Sequence, residues 1–125
     1  MSEILAQSDI WTFQRLMEKE EQVDLTVRHH FSDGLYIREL FIPAGVCVVG
    51  ATHKTRHMFM VLSGICREAH QYGHQEMEGP FMGETEPGTK RVIYAVTDCV
   101  WMTFHPTDIT DLDELAKVLL EEDYK

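Results

Sequence analysis

Two histidines lie four residues apart in the segment 45–64, which begins and ends with glycine. Side chains at an even spacing in an extended chain point to the same face, so the imidazoles of His53 and His57 would face one pocket. Imidazole binds divalent transition metals, and a working site needs three or more protein ligands. His105, which closes a later apolar segment, is the best third candidate. One hypothesis is therefore a metal site formed by His53, His57 and His105.

Two arginines of the sequence indicate a second kind of site, one that binds an anion. Arg91 follows a Pro-Gly turn, and Arg38 lies in a segment with strand alternation. A guanidinium is a planar fork that binds phosphate or carboxylate in bidentate fashion, and its charge repels a metal cation. The alternative hypothesis is therefore a metal-free pocket for a small anionic ligand, unless Arg91 forms a surface salt bridge instead. The residues that would line this pocket are Arg91, Arg38, His53 and His57.

The composition is that of one acidic domain. A chain of 125 residues suits a single hydrophobic core, and we expect residues 1–125 to form one domain. The formal net charge is −10, whereas a protein that binds a phosphate backbone needs a surplus of lysine and arginine. We therefore expect no nucleic-acid partner. Acidic residues crowd the chain from Asp108 onward, which favours a solvated helix face.

Cysteine usage and the length of the apolar runs indicate a cytoplasmic protein. The three cysteines form no CxxC pair, and Cys47 and Cys99 lie inside apolar runs, which favours free thiols in a reducing compartment. The N-terminal residues have no cationic start followed by an apolar region, so we expect no secretory signal. Every apolar run is far shorter than the roughly 20 residues of a membrane helix. We expect a cytoplasmic location and no membrane partner.

The apolar pattern predicts a small β-barrel between two helices. Apolar residues recur at helical spacing over about 9–22, and the period then changes to two, with frequent turn signals, over about 23–105. A capping pattern at Thr110 and a leucine stripe predict an amphipathic helix over about 110–123. The predicted class is all-β, and the strand methionines are expected to fill the core. The expected strands lie near 23–27, 35–42, 46–51, 57–63, 65–70, 75–78, 81–85, 91–97 and 99–105.

The segment around the two histidines resembles the first motif of the cupin superfamily. That motif runs Gly, five residues, His, one residue, His, three residues, Glu, six residues, Gly. The spacing agrees throughout, but an alanine replaces the first His and a histidine replaces the Glu. The residues of this sequence at the five motif positions are Gly45, Ala51, His53, His57 and Gly64.

The segment 87–95 resembles the second cupin motif, which is a Pro-Gly turn followed by His and then Asn. Here Arg91 replaces the His and Ala95 replaces the Asn. The resemblance to the superfamily covers roughly residues 35–105. Several segments, HHFSDGLYIREL and VWMTFH among them, are also similar to segments of small uncharacterised cupin-like proteins that bacteriophages encode.

The resemblance implies a cupin-type jelly roll that holds one divalent transition metal, Fe, Mn, Ni or Zn, for oxygenase, isomerase or lyase chemistry. It also implies a homodimer, with contacts from the N-terminal helix or an edge strand, and the host cytoplasm if a phage encodes the chain. Three hypotheses follow. The protein is a metal-dependent enzyme for a small molecule, a metal-free phage module that sequesters a small anionic metabolite or nucleotide, or a virion accessory that binds a host protein.

Overall fold

Alternating apolar and polar residues form nine antiparallel strands in the part of the chain that the structure describes. The computed structural model describes residues 7–121, with side chains for residues 9–121. The helices are α1 (Gln7–Met17) and α2 (Leu112–Leu119). The strands are β1 (Thr26–Ser32), β2 (Leu35–Ile42), β3 (Cys47–Val49), β4 (His57–Ser63), β5 (Ile65–His70), β6 (Gly73–Glu78), β7 (Phe81–Thr85), β8 (Arg91–Ala95) and β9 (Cys99–Pro106).

The strands form two sheets that enclose one core. The first sheet has the strand order β1-β2-β9-β4-β7, and the second has the order β3-β8-β5-β6. Every pairing within them is antiparallel, and inward side chains of both sheets share the core, among them Phe59, Val61, Ile93 and Trp101. Two such sheets form a jelly roll. The predicted all-β class, with a short helix before and after the barrel, is confirmed.

Gly64 makes the sharp turn from β4 into β5. Its φ is +92°, which is the left-handed region that side chains with a Cβ rarely adopt. A Cβ at this position would also collide with the carbonyl oxygen of Asp98. The glycine that ends the first motif therefore allows β4 to lie against β9, and this pairing positions His57.

The first helix and the first strand differ from their predicted bounds. α1 ends at Met17 instead of about residue 22, because the side-chain amide of Gln22 donates a hydrogen bond of 2.9 Å to the carbonyl oxygen of Met17. The same oxygen also accepts the backbone N–H of Glu20 at 3.0 Å, three residues on, so the chain closes into a tight turn and does not continue the helix. β1 begins at Thr26 instead of residue 23, since Val23 is 54% exposed and has no core to face.

The second helix is shorter than its predicted range of about 110–123. Its N-cap is Asp111 and not Thr110, because the Asp111 carboxylate accepts two backbone N–H groups of the first turn. The helix ends at Leu119, where Leu120 takes up an extended conformation. The last predicted helical residues, 122–123, lie outside the described part of the chain.

Helix α2 covers the barrel beside the inner face of β2. Leu115 and Leu119 are buried against Tyr36, with Ile109 and Leu120 at the margin of this small apolar cluster. The helix thus covers one end of the barrel through Leu115 and Leu119, whereas Leu112, the first leucine of its stripe, is 46% exposed. Neither α1 nor α2 has the length and apolar character needed to cross a membrane.

The expectation that the strand methionines fill the core is wrong for most of them. Met77 is 1% exposed, but Met82 is 54% exposed and Met58 is 38% exposed. The inward positions of β4 belong to the alternate residues, so its methionines face outward. The register places methionines side by side on β9, β4 and β7. We define the outer methionine face by Met102, Met60, Met82 and Met58, with their neighbours Ile37, Phe41 and Phe104.

Candidate functional site

Three histidine side chains meet at the covered end of the barrel. His57 begins β4, and His105 lies near the end of β9, which pairs with β4. The ring centroid of His57 lies 4.5 Å from that of His53 and 4.5 Å from that of His105. One ligand nitrogen from each ring lies within 4.8 Å of the other two. The structure therefore brings together the three histidines that the sequence proposed as metal ligands.

Hydrogen bonds orient two of the rings and leave one nitrogen of each bare. Nδ1 of His57 donates to the carbonyl oxygen of Thr55 at 3.0 Å, and its buried Nε2 has no hydrogen-bond partner among the described residues. Nε2 of His105 lies 2.9 Å from the hydroxyl oxygen of Thr103, and its buried Nδ1 is likewise unpartnered there. A buried nitrogen without a partner is costly. A metal ion would satisfy both, and metal-binding histidines commonly hydrogen-bond through the other nitrogen.

The spacing and the chemistry of the three histidines fit a divalent transition metal. Metal–nitrogen bonds are about 2.0–2.1 Å long, so neighbouring nitrogens on one tetrahedral or octahedral ion lie about 3–3.4 Å apart. The ligand nitrogens of the three imidazoles lie within 4.8 Å of one another, so they need to approach by up to about 2 Å on binding. Three imidazoles form an open set that leaves positions on the ion for another ligand.

His53 is positioned by two segments that are distant in sequence. Its backbone N–H donates to the carbonyl oxygen of Thr89 at 3.2 Å, and its carbonyl oxygen accepts from Gly88 at 2.7 Å. On its other side it forms an isolated antiparallel bridge with Leu120, just after α2. The side chain of Lys54 also donates to a backbone carbonyl of α2 at 2.9 Å. The end of α2 thus holds the loop that carries His53.

Burial keeps the three imidazoles neutral. Burial, followed by the neighbouring His57 and His105, lowers the pKa of His53 to about 3. Burial, followed by His57 and then Arg38, lowers the pKa of His105 to about 4. Burial also lowers the pKa of His57, although its hydrogen bond to Thr55 acts in the opposite direction. Metal ligands must be unprotonated, so this site is ready to bind at neutral pH.

The metal-free protein is expected to lose stability on acidification. In the unfolded chain His53 and His105 regain an ordinary pKa of about 6.5, whereas the folded values are about 3 and 4. Between these limits the unfolded state binds more protons, so the free energy of unfolding falls as the pH falls from about 7 towards 4. Urea unfolding in EDTA at pH 7.5 and pH 5.0 measures this. The decrease in the free energy of unfolding between the two pH values should be smaller in H53Q/H105Q than in the wild type. An equal decrease in the variant and the wild type would contradict the expectation.

Arg91 forms a buried ion pair, which differs from the surface salt bridge considered from the sequence. Its Nε lies 3.0 Å from a carboxylate oxygen of Glu68, and the Glu68 side chain is 1% exposed. Its Nη2 donates to Thr85 at 3.1 Å, and the guanidinium lies over the rings of Phe59 and Trp101. The carboxylate of Glu68 therefore neutralises the charge of Arg91 inside the protein, so Arg91 is poorly suited to be the principal anion-binding group.

Arg38 lies on the inner face of β2 and lines the cavities beside the histidines. In the register it stands opposite Thr103 of β9, and its side chain is half-buried. Two cavities, of about 290 Å³ and about 160 Å³, both border Arg38 and His53. Of the two arginines named from the sequence, only Arg38 therefore faces the pocket without an ion pair to a carboxylate of the described residues.

Other histidines and carboxylates of the two sheets that could serve as metal ligands take different partners. His30 lies 3.0 Å from Glu39 on the outer side of the first sheet, and Glu68 pairs with Arg91. His29 hydrogen-bonds to the hydroxyl of Tyr36 at 2.7 Å. None of them joins the histidine cluster.

Sequence reasoning missed the two residues that orient the ligands. Thr55 precedes His57 by two positions, and Thr103 precedes His105 by two positions. The repeated Thr-x-His spacing was the available signal, because residues two apart on a strand share a face. Tyr36 was also missed; its ring stacks on that of His105 at 5.7 Å. Its alternation with Arg38 on β2 placed both on one side, and this could have identified it.

Comparisons with solved structures find the same fold. A cupin-2 domain protein from Shewanella frigidimarina is 14% identical, with a TM-score of 0.52, and the match covers 77% of this chain and 92% of that one. A cupin superfamily protein from Desulfitobacterium hafniense is 10% identical, with a TM-score of 0.57, and coverage of 72% and 84%. Both likenesses concern the fold alone, since the identities are so low.

An enzyme also has a similar domain. Salicylate 1,2-dioxygenase from Pseudaminobacter salicylatoxidans is 15% identical with a TM-score of 0.62, and the match covers 90% of this chain but 35% of the enzyme. No protein-family profile and no curated protein matches the sequence. The resemblance to bacteriophage proteins stays a prediction.

Proposed function

We propose, from the cupin fold of this chain, that its barrel binds one divalent transition metal through His53, His57 and His105 and acts on a small molecule there. The observation that carries the proposal is the pair of buried, unpartnered nitrogens, Nε2 of His57 and Nδ1 of His105. The pKa values of all three imidazoles are lowered, so protons do not compete with a metal at pH 7.

A bound metal would supply Lewis acidity or the activation of water or oxygen. The protein's own contribution is positional. Thr55 and Thr103 hold two of the rings and leave one buried nitrogen of each without a partner among the described residues. The Arg91–Glu68 pair adds no net charge to the barrel, while apolar side chains line the cavity and α2 covers this end of the barrel.

Metal content is the first test of this function. Untagged protein should be stripped with EDTA, reconstituted separately with Fe(II), Mn(II), Ni(II) and Zn(II), and desalted before elemental analysis. We expect about one ion per chain with at least one of these metals, accompanied by a rise in melting temperature, because a ligand that binds only the folded state stabilises it. H53A should lose the ion.

The outcomes separate the functions considered from the sequence. A chain that retains no metal after every reconstitution would contradict the metal-dependent function and leave the metal-free binding module. A metal that is retained equally by H53A would show that it binds elsewhere. Retention of one ion that the variant loses would direct activity assays to oxygenase, isomerase and lyase reactions.

We further propose that the homodimer forms through the outer methionine face. Methionine side chains adapt well to contact surfaces, and contiguous exposed apolar patches often mark interfaces. The charged residues within and beside this face nearly balance: Arg28 lies 4.0 Å from Glu39, and Arg56 lies 3.1 Å from Glu84 and 2.7 Å from Glu86. Although the chain has a net charge of −10, a second copy would therefore meet little charge repulsion at this face.

A charge at the centre of the outer methionine face is expected to dissociate the dimer. In M60E the buried carboxylates of two copies would lie unpaired in an apolar contact, which is costly. Light scattering after size exclusion should give a dimer for the wild type and a monomer for M60E. Y72E, at a turn with 57% exposure, is the matched control and should stay dimeric. A wild type that is monomeric at 100 µM or above would refute the interface.

A further inference from the structure

The charges around the histidine cluster do not balance. The Arg91 guanidinium is matched by Glu68 at 3.0 Å. Arg38 has no carboxylate within ion-pair distance and no hydrogen-bond partner among the described residues, although arginines on the outer surface of the barrel, such as Arg56 and Arg67, are paired. A half-buried guanidinium without a counter-charge is unfavourable. The site therefore has one positive charge that nothing in the described chain neutralises.

Arg38 lies where two cavities meet. The cavity of about 290 Å³ is lined mostly by apolar side chains, and its polar members are Arg38, His53, Arg91 and Thr103. The cavity of about 160 Å³ lies under α2 and shares Arg38 and His53 with the first. The apolar residues that line the larger cavity are Leu25, Val27, Leu40, Val48, Val49, Ala51, Ile93, Trp101 and Leu120.

The shape and the chemistry of these cavities restrict the ligand. Ligand pockets usually span about 300–1,000 Å³, so a cavity of about 290 Å³ takes only a small molecule. A carboxylate presents two oxygens, which the fork of one guanidinium satisfies. A phosphate monoester brings a third oxygen and additional negative charge that Arg38 alone leaves unmatched. The apolar walls suit an aliphatic or aromatic body and would desolvate a second polar group.

We infer that the ligand of this barrel is a small carboxylate with an apolar body, whose carboxylate pairs with Arg38 and whose body fills the apolar cavity beside His53. The inference rests on the proposed function, because small carboxylates of this kind would be the substrates of the metal site. It also replaces Arg91 with Arg38 as the anion-binding residue. Arg38 is the specificity-determining residue, since a neutral ligand of equal shape leaves its charge unpaired.

Binding of matched small probes tests the inference. Benzoate and hexanoate would be compared with benzamide, hexanol and phenyl phosphate by NMR titration, on both EDTA-treated and zinc-reconstituted protein. We expect a carboxylate to bind about 10- to 100-fold more tightly than its neutral counterpart, as charged hydrogen bonds allow. R38M should lose that preference, and R38K should keep part of it. R67M, which changes an exposed arginine paired with Glu76, should behave as the wild type.

The outcomes distinguish failure of the inference from failure of the proposed function. Equal binding of benzoate and benzamide, tighter binding of phenyl phosphate, or an unchanged preference in R38M would overturn the inference, whatever the zinc content. Zinc retention in R38M would show that the variant is folded, so that its lost preference supports the inference. A carboxylate preference that depends on Arg38 in a protein that retains none of the four metals would support the inference while contradicting the metal-dependent function.

Discussion

A protein with glutamine in place of Glu68 is expected to lose about 3–5 kcal/mol of its free energy of unfolding, which is a large part of the about 5–15 kcal/mol of a typical domain. The Arg91 side chain is 7% exposed and the Glu68 side chain is 1% exposed, with 3.0 Å between their charged atoms. Removal of the carboxylate leaves a buried guanidinium uncompensated. Glu68 also accepts from Gln75 at 2.7 Å, and this contact would weaken too. Urea unfolding at pH 7.5 measures the loss.

Two further variants identify the cause of this loss. E76Q removes the partner of the exposed Arg67 on the same sheet and should cost less than about 1 kcal/mol. In E68L/R91M both buried charges are absent, so much of the lost stability should return. If E68Q cost no more than E76Q, the Arg91–Glu68 pair would be solvated in solution and would not form the neutral buried contact described above.

Alanine in place of His57 is expected to lower metal affinity by more than 100-fold. Loss of a single residue that only orients a ligand typically costs 10–100-fold, and His57 would contribute a ligand itself. Its bare Nε2 is buried, and its ring is held by the hydrogen bond from Nδ1 to Thr55 at 3.0 Å. Competition with a chromogenic zinc chelator at pH 7.5 measures the affinity.

Control variants separate ligand loss from general damage to the barrel. H30A removes an exposed histidine that pairs with Glu39 on the outer side of the same sheet, and its affinity should equal that of the wild type. T103V removes only the hydroxyl beside His105 and should cost about 10–100-fold. Equal affinities of H57A and H30A, at unchanged thermal stability, would contradict the assignment of His57 as a ligand.

Local pattern alone determined much of the architecture. The period of two between about residues 23 and 105 predicted the strands, because alternating side chains can bury only one face of an extended segment. It also led to the expectation that His53 and His57 face one pocket, and it put Tyr36, Arg38 and Leu40 on one shared face, which the structure shows to be the inner face of β2. The helix ends were less well predicted, since the caps at Asp111 and Gln22 compete with neighbouring residues of similar capping ability.

The composition of the site depended on contacts between strands far apart in sequence. His105 reaches His57 because β9 pairs with β4, and Arg91 reaches Glu68 because β8 pairs with β5. A single sequence does not show which strands pair or in which register. Alternation could therefore assign Arg91 to one face of its strand, but it could not identify its partner. The outward methionines were misjudged for the same reason: alternation tells which residues share a face, and only the packing of the two sheets decides which face is buried.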